Sequence, residues 1–239
     1  MDKRYVIVAG VNGFGKTTLY NIYPEMRLAC RVNPDEICKQ MGGDWRDPVA
    51  NLQAGKAALR LLDDALACGK PVNQETTLAG HGVVNRIVKA KEAGYRIEMH
   101  YVGVDSVEIA KARIRHRVAI GGHGIPDADV ERRYARSLEN VKKIVSKVDE
   151  LFFYDNSTER GIKEIARCKH GSIVWCVTHS PQWFVCVKAA IEKAHGREEE
   201  CHCKSPADKA MDKLFPNAND AKKEKANAKA NDKPHGVSR

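Results

Sequence analysis

The 239-residue sequence predicts an α/β fold, a parallel sheet with helices on both faces, followed by a basic, poorly ordered C-terminal tail. Three observations predict it. Short apolar runs alternate with helical patterns through the first two-thirds of the chain, as strands joined by crossover helices do. The first run ends in a glycine-rich turn, which marks a buried strand feeding a phosphate loop. From about residue 196 the composition turns to Lys, Ala, Asn, Asp and Glu, with too few apolar side chains to join a core.

The elements follow in order. Residues 5–9 form a continuous apolar run and read as a buried strand. Residues 28–32 read as a second short strand, stopped at Asn33-Pro34. Residues 47–67 have helical spacing, with Leu52, Ala58, Leu59, Leu62 and Leu66 on one side and Gly69 as the stop. A third strand over 71–74, a helix over 82–93 closed by Gly94, and a fourth strand over 96–102 come next. Asp105 with Glu108 makes a capping-box-like start for a helix over 105–118. Residues 120–125 (IGGHGI) form a flexible loop, and Pro126 opens a helix whose first turn carries Asp127 and Asp129, which suits the helix dipole. Residues 151–154 are a fifth strand ending at Asp155-Asn156. A strand over 172–177 and a helix over 181–194 carrying Trp183, Phe184, Val187 and Ile191 complete a domain of residues 1–195. Residues 196–239 are the tail, with a helical turn near 211–215.

Composition narrows the function classes. No run of about 18 apolar residues exists, so no membrane span is expected. The apolar stretch at the N-terminus is too short for a secretory signal, and a cytoplasmic location is the expectation. Cys30, Cys38, Cys68, Cys168, Cys176 and Cys186 lack framework spacing and read as reduced, small apolar fillers. Part of the net charge of +9 lies in the lysine-rich tail and part in an arginine cluster between Arg113 and Arg136. Apart from Phe215, no aromatic residue interleaves with the tail lysines, so nucleic acid is the less favoured partner. Cys201-His202-Cys203 lacks zinc-site spacing.

Gly10-Val11-Asn12-Gly13-Phe14-Gly15-Lys16-Thr17 fits the phosphate-loop pattern G-x-x-x-x-G-K-[ST] throughout, with an apolar strand before it and a helix-compatible segment after it. Such a loop lets backbone N–H groups face nucleotide phosphates at the positive end of the following helix. Gly10, Asn12, Gly13, Gly15, Lys16, Thr17 and Thr18 are therefore the expected ATP-binding residues, with Lys16 on the β- and γ-phosphates and Thr17 on Mg²⁺.

Polar residues stand at the carboxyl ends of the other strands, where a parallel sheet forms its ligand crevice. Asp35 reads either as a base that takes a hydroxyl proton in phosphoryl transfer or as a first-turn helix residue. Glu75 can hold a metal-bound water or an acceptor hydroxyl, and Thr76 can bind the acceptor or cap a turn. Arg113 and Arg117 precede the IGGHGI loop, and Arg132, Arg133 and Arg136 follow it, as in a lid that closes over phosphates. Arg117 and Arg133, nearest the loop, are the favoured pair, and the loop's His123 is a weaker phosphate contact. Asp155-Asn156 either frames a base site or forms a turn. Three functions fit these residues: a small-molecule kinase, a nucleotide-dependent switch or ATPase module without an acceptor, and a nucleic-acid-associated ATPase. Asp35 and the lid arginines favour the first.

The combination AGVNGFGKTT, RVNPDEI, GDWRDP, NQETTL, HYVGVDS, GGHGIP and RRYARSLEN, over residues 3–166, resembles the zeta-toxin family of P-loop kinases. The resemblance implies a P-loop kinase-like fold with ATP and Mg²⁺ as cofactors. It also implies phosphorylation of a hydroxyl of a UDP-amino-sugar, UDP-N-acetylglucosamine in the family, and an antitoxin protein as candidate partner. By motif, Lys16 and Thr17 match the phosphate and metal residues, and Asp35 matches the catalytic base. Glu75 and Thr76 match the residues that position acceptor and metal, and Arg117 and Arg133 match the phosphate-clamping arginines.

Overall fold

The computed structural model describes residues 3–194. The expected tail over 196–239, the turn near 211–215 and Cys201-His202-Cys203 lie outside the described residues. The chain runs β1 (Arg4–Ala9), α1 (Lys16–Ile22), β2 (Cys30–Val32), α2 (Pro34–Gln40), α3 (Pro48–Ala67), β3 (Val72–Thr76), α4 (Val83–Glu92), β4 (Arg96–Gly103), α5 (Val107–Ala119), α6 (Asp127–Ile144), β5 (Glu150–Asp155), β6 (Lys163–Lys169), β7 (Ser172–Cys176) and α7 (Gln182–Ala194). The seven strands form one sheet in the order β2-β3-β1-β4-β5-β6-β7.

The parallel sheet expected from the alternation is present in five strands: β2, β3, β1, β4 and β5 pair in parallel. The sheet is mixed overall, because β6 and β7 extend it in antiparallel fashion. β6 is absent from the sequence expectation. Its segment, KEIARCK, buries only Ile165, Ala166 and Cys168, which is too weak a pattern to stand out. The better signal is the two-residue hairpin after it: His170 and Gly171 both have positive φ, at 48° and 83°, as a tight antiparallel turn requires.

Both faces of the sheet are covered. Along β1, Tyr5, Ile7 and Ala9 join one core cluster, while Val6 and Val8 join the other. The first cluster includes Leu62 from α3, Ile87 from α4, and Trp183 and Phe184 from α7. The second includes Leu19 from α1 and Ile114 from α5. β4 is buried from Ile97 to Gly103, as a central strand between two layers must be.

Two local expectations change. α5 is capped by Ser106, whose Oγ accepts the Ile109 N–H at 3.4 Å; Asp105 instead accepts the Trp183 backbone N–H at 3.2 Å. On α3, Ala58 and Leu62 are buried, but Leu52 and Leu59 are 59% and 41% exposed. They face an open cleft rather than the sheet. Among the described residues, no helix is long and apolar enough to cross a membrane.

Candidate functional site

The loop between β1 and α1 is held by its glycines. Gly10, Gly13 and Gly15 have φ of 135°, 82° and 97°, a region that side chains rarely allow. Space forbids side chains as well: a Cβ on Gly10 would lie 2.4 Å from the Val102 carbonyl oxygen, and one on Gly13 would lie 2.7 Å from that of Ala110. Asn156 tethers the loop from outside, its Nδ2 donating to the Phe14 carbonyl at 2.9 Å. Phe14 itself is buried against Tyr134, with the rings edge to face. Lys16 is buried at the start of α1, and its Nζ donates to the Val11 carbonyl at 3.2 Å. Thr17 and Thr18 are exposed in the first turn. Burial holds the Lys16 pKa below its ordinary value; Glu75 and Asp35 work against that, and Arg117 and Arg133 add to it.

Glu75, 6% exposed at the end of β3, is the centre of a polar network. It accepts from Thr17 Oγ1 at 3.1 and 3.2 Å, from Asn33 Nδ2 at 3.1 Å and from Arg31 Nη2 at 3.1 Å, and lies 3.9 Å from Lys16 Nζ. Arg31, on β2, is the residue that sequence reasoning missed. Its Nε and Nη2 also donate to Glu36, its Nη1 donates to Asn73 Oδ1 at 3.0 Å, and its guanidinium lies 3.6 Å over the Tyr20 ring. Burial opposes its charge, but the Glu36 and Glu75 carboxylates outweigh burial and raise its pKa. The available signal was an arginine in a three-residue apolar strand with a glutamate five residues later.

Asp35 sits in the first turn of α2, where Pro34 and the Asn33 cap start the helix; Asn33 Oδ1 accepts the Asp35 N–H at 3.0 Å. Its carboxylate is 43% exposed and faces an open cleft of about 830 Å³ that Lys16, Glu75, Thr76, His123 and Arg133 also line. Thr76 has a structural task too, its Oγ1 accepting the Leu78 N–H at 3.1 Å. Across the cleft, His123 Nε2 lies 3.8 Å from Asp35 Oδ1. Burial holds the His123 pKa below its ordinary value, which favours the neutral ring. The loop carrying His123 presses on the segment between α2 and α3: a Cβ on Gly124 would lie 2.3 Å from the Trp45 ring.

The arginines divide. Arg133 Nη1 donates to Asn12 Oδ1 at 2.9 Å, joining α6 to the phosphate loop. Arg132 pairs with Asp129 at 2.6 Å, and Arg115 with Asp127 at 3.4 Å. Arg136 lines the cleft. Arg117 stands behind the cleft wall, packed under Gly122, and acts on Lys16 and His123 through its charge. Its Nε and Nη2, and Nη1 of Arg113, are buried without a partner among the described residues. Burial also holds the Arg113 pKa below its ordinary value, against Asp155. Asp155 accepts from Trp183 Nε1 at 2.9 Å and from Ser157 Oγ at 2.6 Å, so it organises a turn and the α7 contact.

The donor set beside the loop fits Mg²⁺. Thr17 Oγ1 and Glu75 Oε1 are 3.1 Å apart. Neighbouring oxygens around an octahedral ion bonded at about 2.1 Å lie about 3 Å apart. Among the described residues no group of three His, Cys, Asp or Glu side chains could hold a metal by itself. A metal here would therefore take its remaining ligands from phosphates and water.

Comparison with known proteins bears on the family and the fold. The chain is 32% identical to an uncharacterized protein of Haemophilus influenzae over 134 residues, covering 56% of this chain and 94% of that one. Its fold is similar to that of the crystal structure of AvrRxo1-ORF1:-ORF2 with ATP, at a TM-score of 0.57 and 14% identity, over 82% of this chain and 81% of that one. It is also similar to the PezAT chromosomal toxin-antitoxin system of Streptococcus pneumoniae, at a TM-score of 0.50 and 16% identity, over 89% and 84% of the two chains. The AAA_33 family model, an AAA domain, matches residues 6–140, and the chain belongs to that family.

Proposed function

We propose that the protein is an ATP-dependent kinase that transfers the γ-phosphate of ATP to a hydroxyl group of a small molecule. One observation carries this reading: the half-exposed Asp35 carboxylate opens onto the same cleft as Lys16 and Arg133, at the end of the strand next to β3. A loop that binds nucleotide alone has no use for an exposed carboxylate beside its lysine. A transferase needs one to accept the hydroxyl proton.

In this reading the acceptor hydroxyl lies between Asp35 and the γ-phosphorus. Its oxygen attacks phosphorus, its proton passes to Asp35, and the bond from phosphorus to the bridging oxygen breaks to release ADP. Lys16 and Arg133 hold the phosphate oxygens in line, and Arg117 adds positive charge from behind the wall. Thr17 and Glu75 would hold Mg²⁺, which would neutralise phosphate charge. Thr76 and the apolar α3 wall of Leu52 and Leu59 position the acceptor. The zeta-toxin resemblance makes a UDP-amino-sugar the first acceptor to test and an antitoxin-type protein the first partner.

Incubation with ATP-Mg²⁺ and a metabolite extract, read by mass, identifies the acceptor. Asp35→Asn should then keep ATP affinity within about twofold while transfer falls about 10²- to 10⁴-fold. Both are measured on one preparation, by calorimetry and single-turnover kinetics. Wild-type transfer would leave Asp35 a helix-start residue and return the switch reading to first place. Loss of ATP affinity as well would assign Asp35 to the nucleotide or metal.

A further inference from the structure

We propose that Arg31 is a positioning residue that holds the Glu75 carboxylate off Lys16 and so keeps the lysine free for nucleotide phosphates. This deepens the kinase reading but needs only its nucleotide-binding step.

Lys16 and Glu75 are 7% and 6% exposed, and their nearest charged atoms are 3.9 Å apart. Opposite charges so deeply buried attract strongly, and a direct charged hydrogen bond would close to about 2.8 Å. The pair has not closed. Lys16 Nζ donates to the Val11 carbonyl, and the far oxygen of Glu75, Oε2, is drawn the other way by Arg31 Nη2 and Asn33 Nδ2, each at 3.1 Å. Among the described residues, the ion pairs of Glu75 are these two, Lys16 and Arg31. Arg31 can pull because it is fixed itself, by Glu36, by Asn73 and by the Tyr20 ring beneath it. A planar fork reaches all these partners at once, which an ammonium cannot.

Removing Arg31 leaves Lys16 as the cation nearest Glu75. The carboxylate then closes on the lysine, and an incoming phosphate must break that pair. The consequence appears in nucleotide binding, before any acceptor is present.

The test is calorimetry of ATP binding in EDTA and again with Mg²⁺, with thermal melts confirming the fold. Arg31→Met should weaken ATP binding about tenfold, and Arg31→Lys, which keeps charge but loses the fork, by a smaller factor. Adding Glu75→Gln to either variant removes the capturing carboxylate and should return affinity to within about threefold of Glu75→Gln alone. Arg31→Met with Glu36→Gln has the same net charge but retains Glu75, so it should stay weak. If Arg31→Met fails to fold, the Arg31→Lys pair of measurements decides. The proposal is overturned if a folded Arg31 variant binds ATP like the wild type, if Glu75→Gln does not restore binding, or if Glu36→Gln restores it equally. Absence of phosphate transfer to any acceptor would defeat the kinase reading and leave these binding results untouched.

Discussion

The two walls around Lys16 are built on opposite terms. On the strand side, Glu75, Arg31, Glu36 and Asn33 satisfy one another through short contacts at the ends of β2 and β3. On the α5–α6 side, Arg117 Nε and Nη2 and Arg113 Nη1 are buried with no partner among the described residues. A buried, unpaired guanidinium nitrogen is destabilising by about 1 to 3 kcal/mol or more. Unpaired guanidinium nitrogens of this kind are found on one of the two walls only, among the described residues. The strand wall is satisfied within the protein, whereas the helix wall keeps buried donors without a partner among the described residues, behind the cleft rather than in it.

Lys16 stands between the walls, so its loss should have the largest effect. Lys16→Ala should lower ATP turnover by at least about 10³-fold while the melting curve shows an intact fold. Normal turnover in a folded variant would remove the phosphate loop from the comparison altogether.

Arg117→Met separates the walls. Transfer should fall on the order of 10²-fold, as when a charge-stabilising donor is removed. The free protein should nevertheless melt at the same temperature or a few degrees higher, because an apolar side chain replaces two buried nitrogens that have no partner among the described residues. A lower melting temperature would show that Arg117 is already satisfied and that the two walls are alike.

The smallest effect on activity is expected at a satisfied network away from the cleft. Along β1, β4 and β5, Glu98 accepts from Arg4 at 2.8 Å and contacts His100 Nε2 at 2.7 Å; His100 Nδ1 contacts the Tyr154 hydroxyl at 3.1 Å. Burial would raise the Glu98 pKa, but the bonds from His100 and Arg4 outweigh it and bring it down to about 2. A depressed carboxylate stabilises the fold above its unfolded value, and that stability is lost as pH falls from about 4.5 toward 2. The amount is on the order of 3 kcal/mol. Glu98→Gln should flatten the pH dependence of denaturant stability in that window while leaving activity at neutral pH within about twofold. An activity loss beyond that would tie this network to the cleft.

What the sequence disclosed, and what it hid, follows the same division. β1, the phosphate loop and β4 are legible because apolar runs and glycines act locally. Asp35, Glu75 and Thr76 are legible as polar residues at strand ends, where topology places the crevice. Arg31 is not, because its importance lies in partners 42 and 44 residues away, at Asn73 and Glu75. Leu52 and Leu59 mislead because helical periodicity counts apolar residues without distinguishing a sheet from a cleft. β6 is hidden because an antiparallel pairing needs only a tight turn and a few buried side chains, and its turn, His170-Gly171, is not among the strongest hairpin pairs.

The contact between Gly103 and Trp183 reaches beyond packing. A Cβ at position 103 would lie 2.4 to 2.5 Å from three atoms of the indole, whose Nε1 is also bonded to Asp155 at the end of β5. Position 103 can therefore gain a side chain only if the ring at position 183 moves or is lost, and losing the ring removes one donor to the Asp155 carboxylate while Ser157 remains. The two positions, 80 residues apart in sequence, are coupled, and Gly103→Ala should be less destabilising in a Trp183→Ala background than alone.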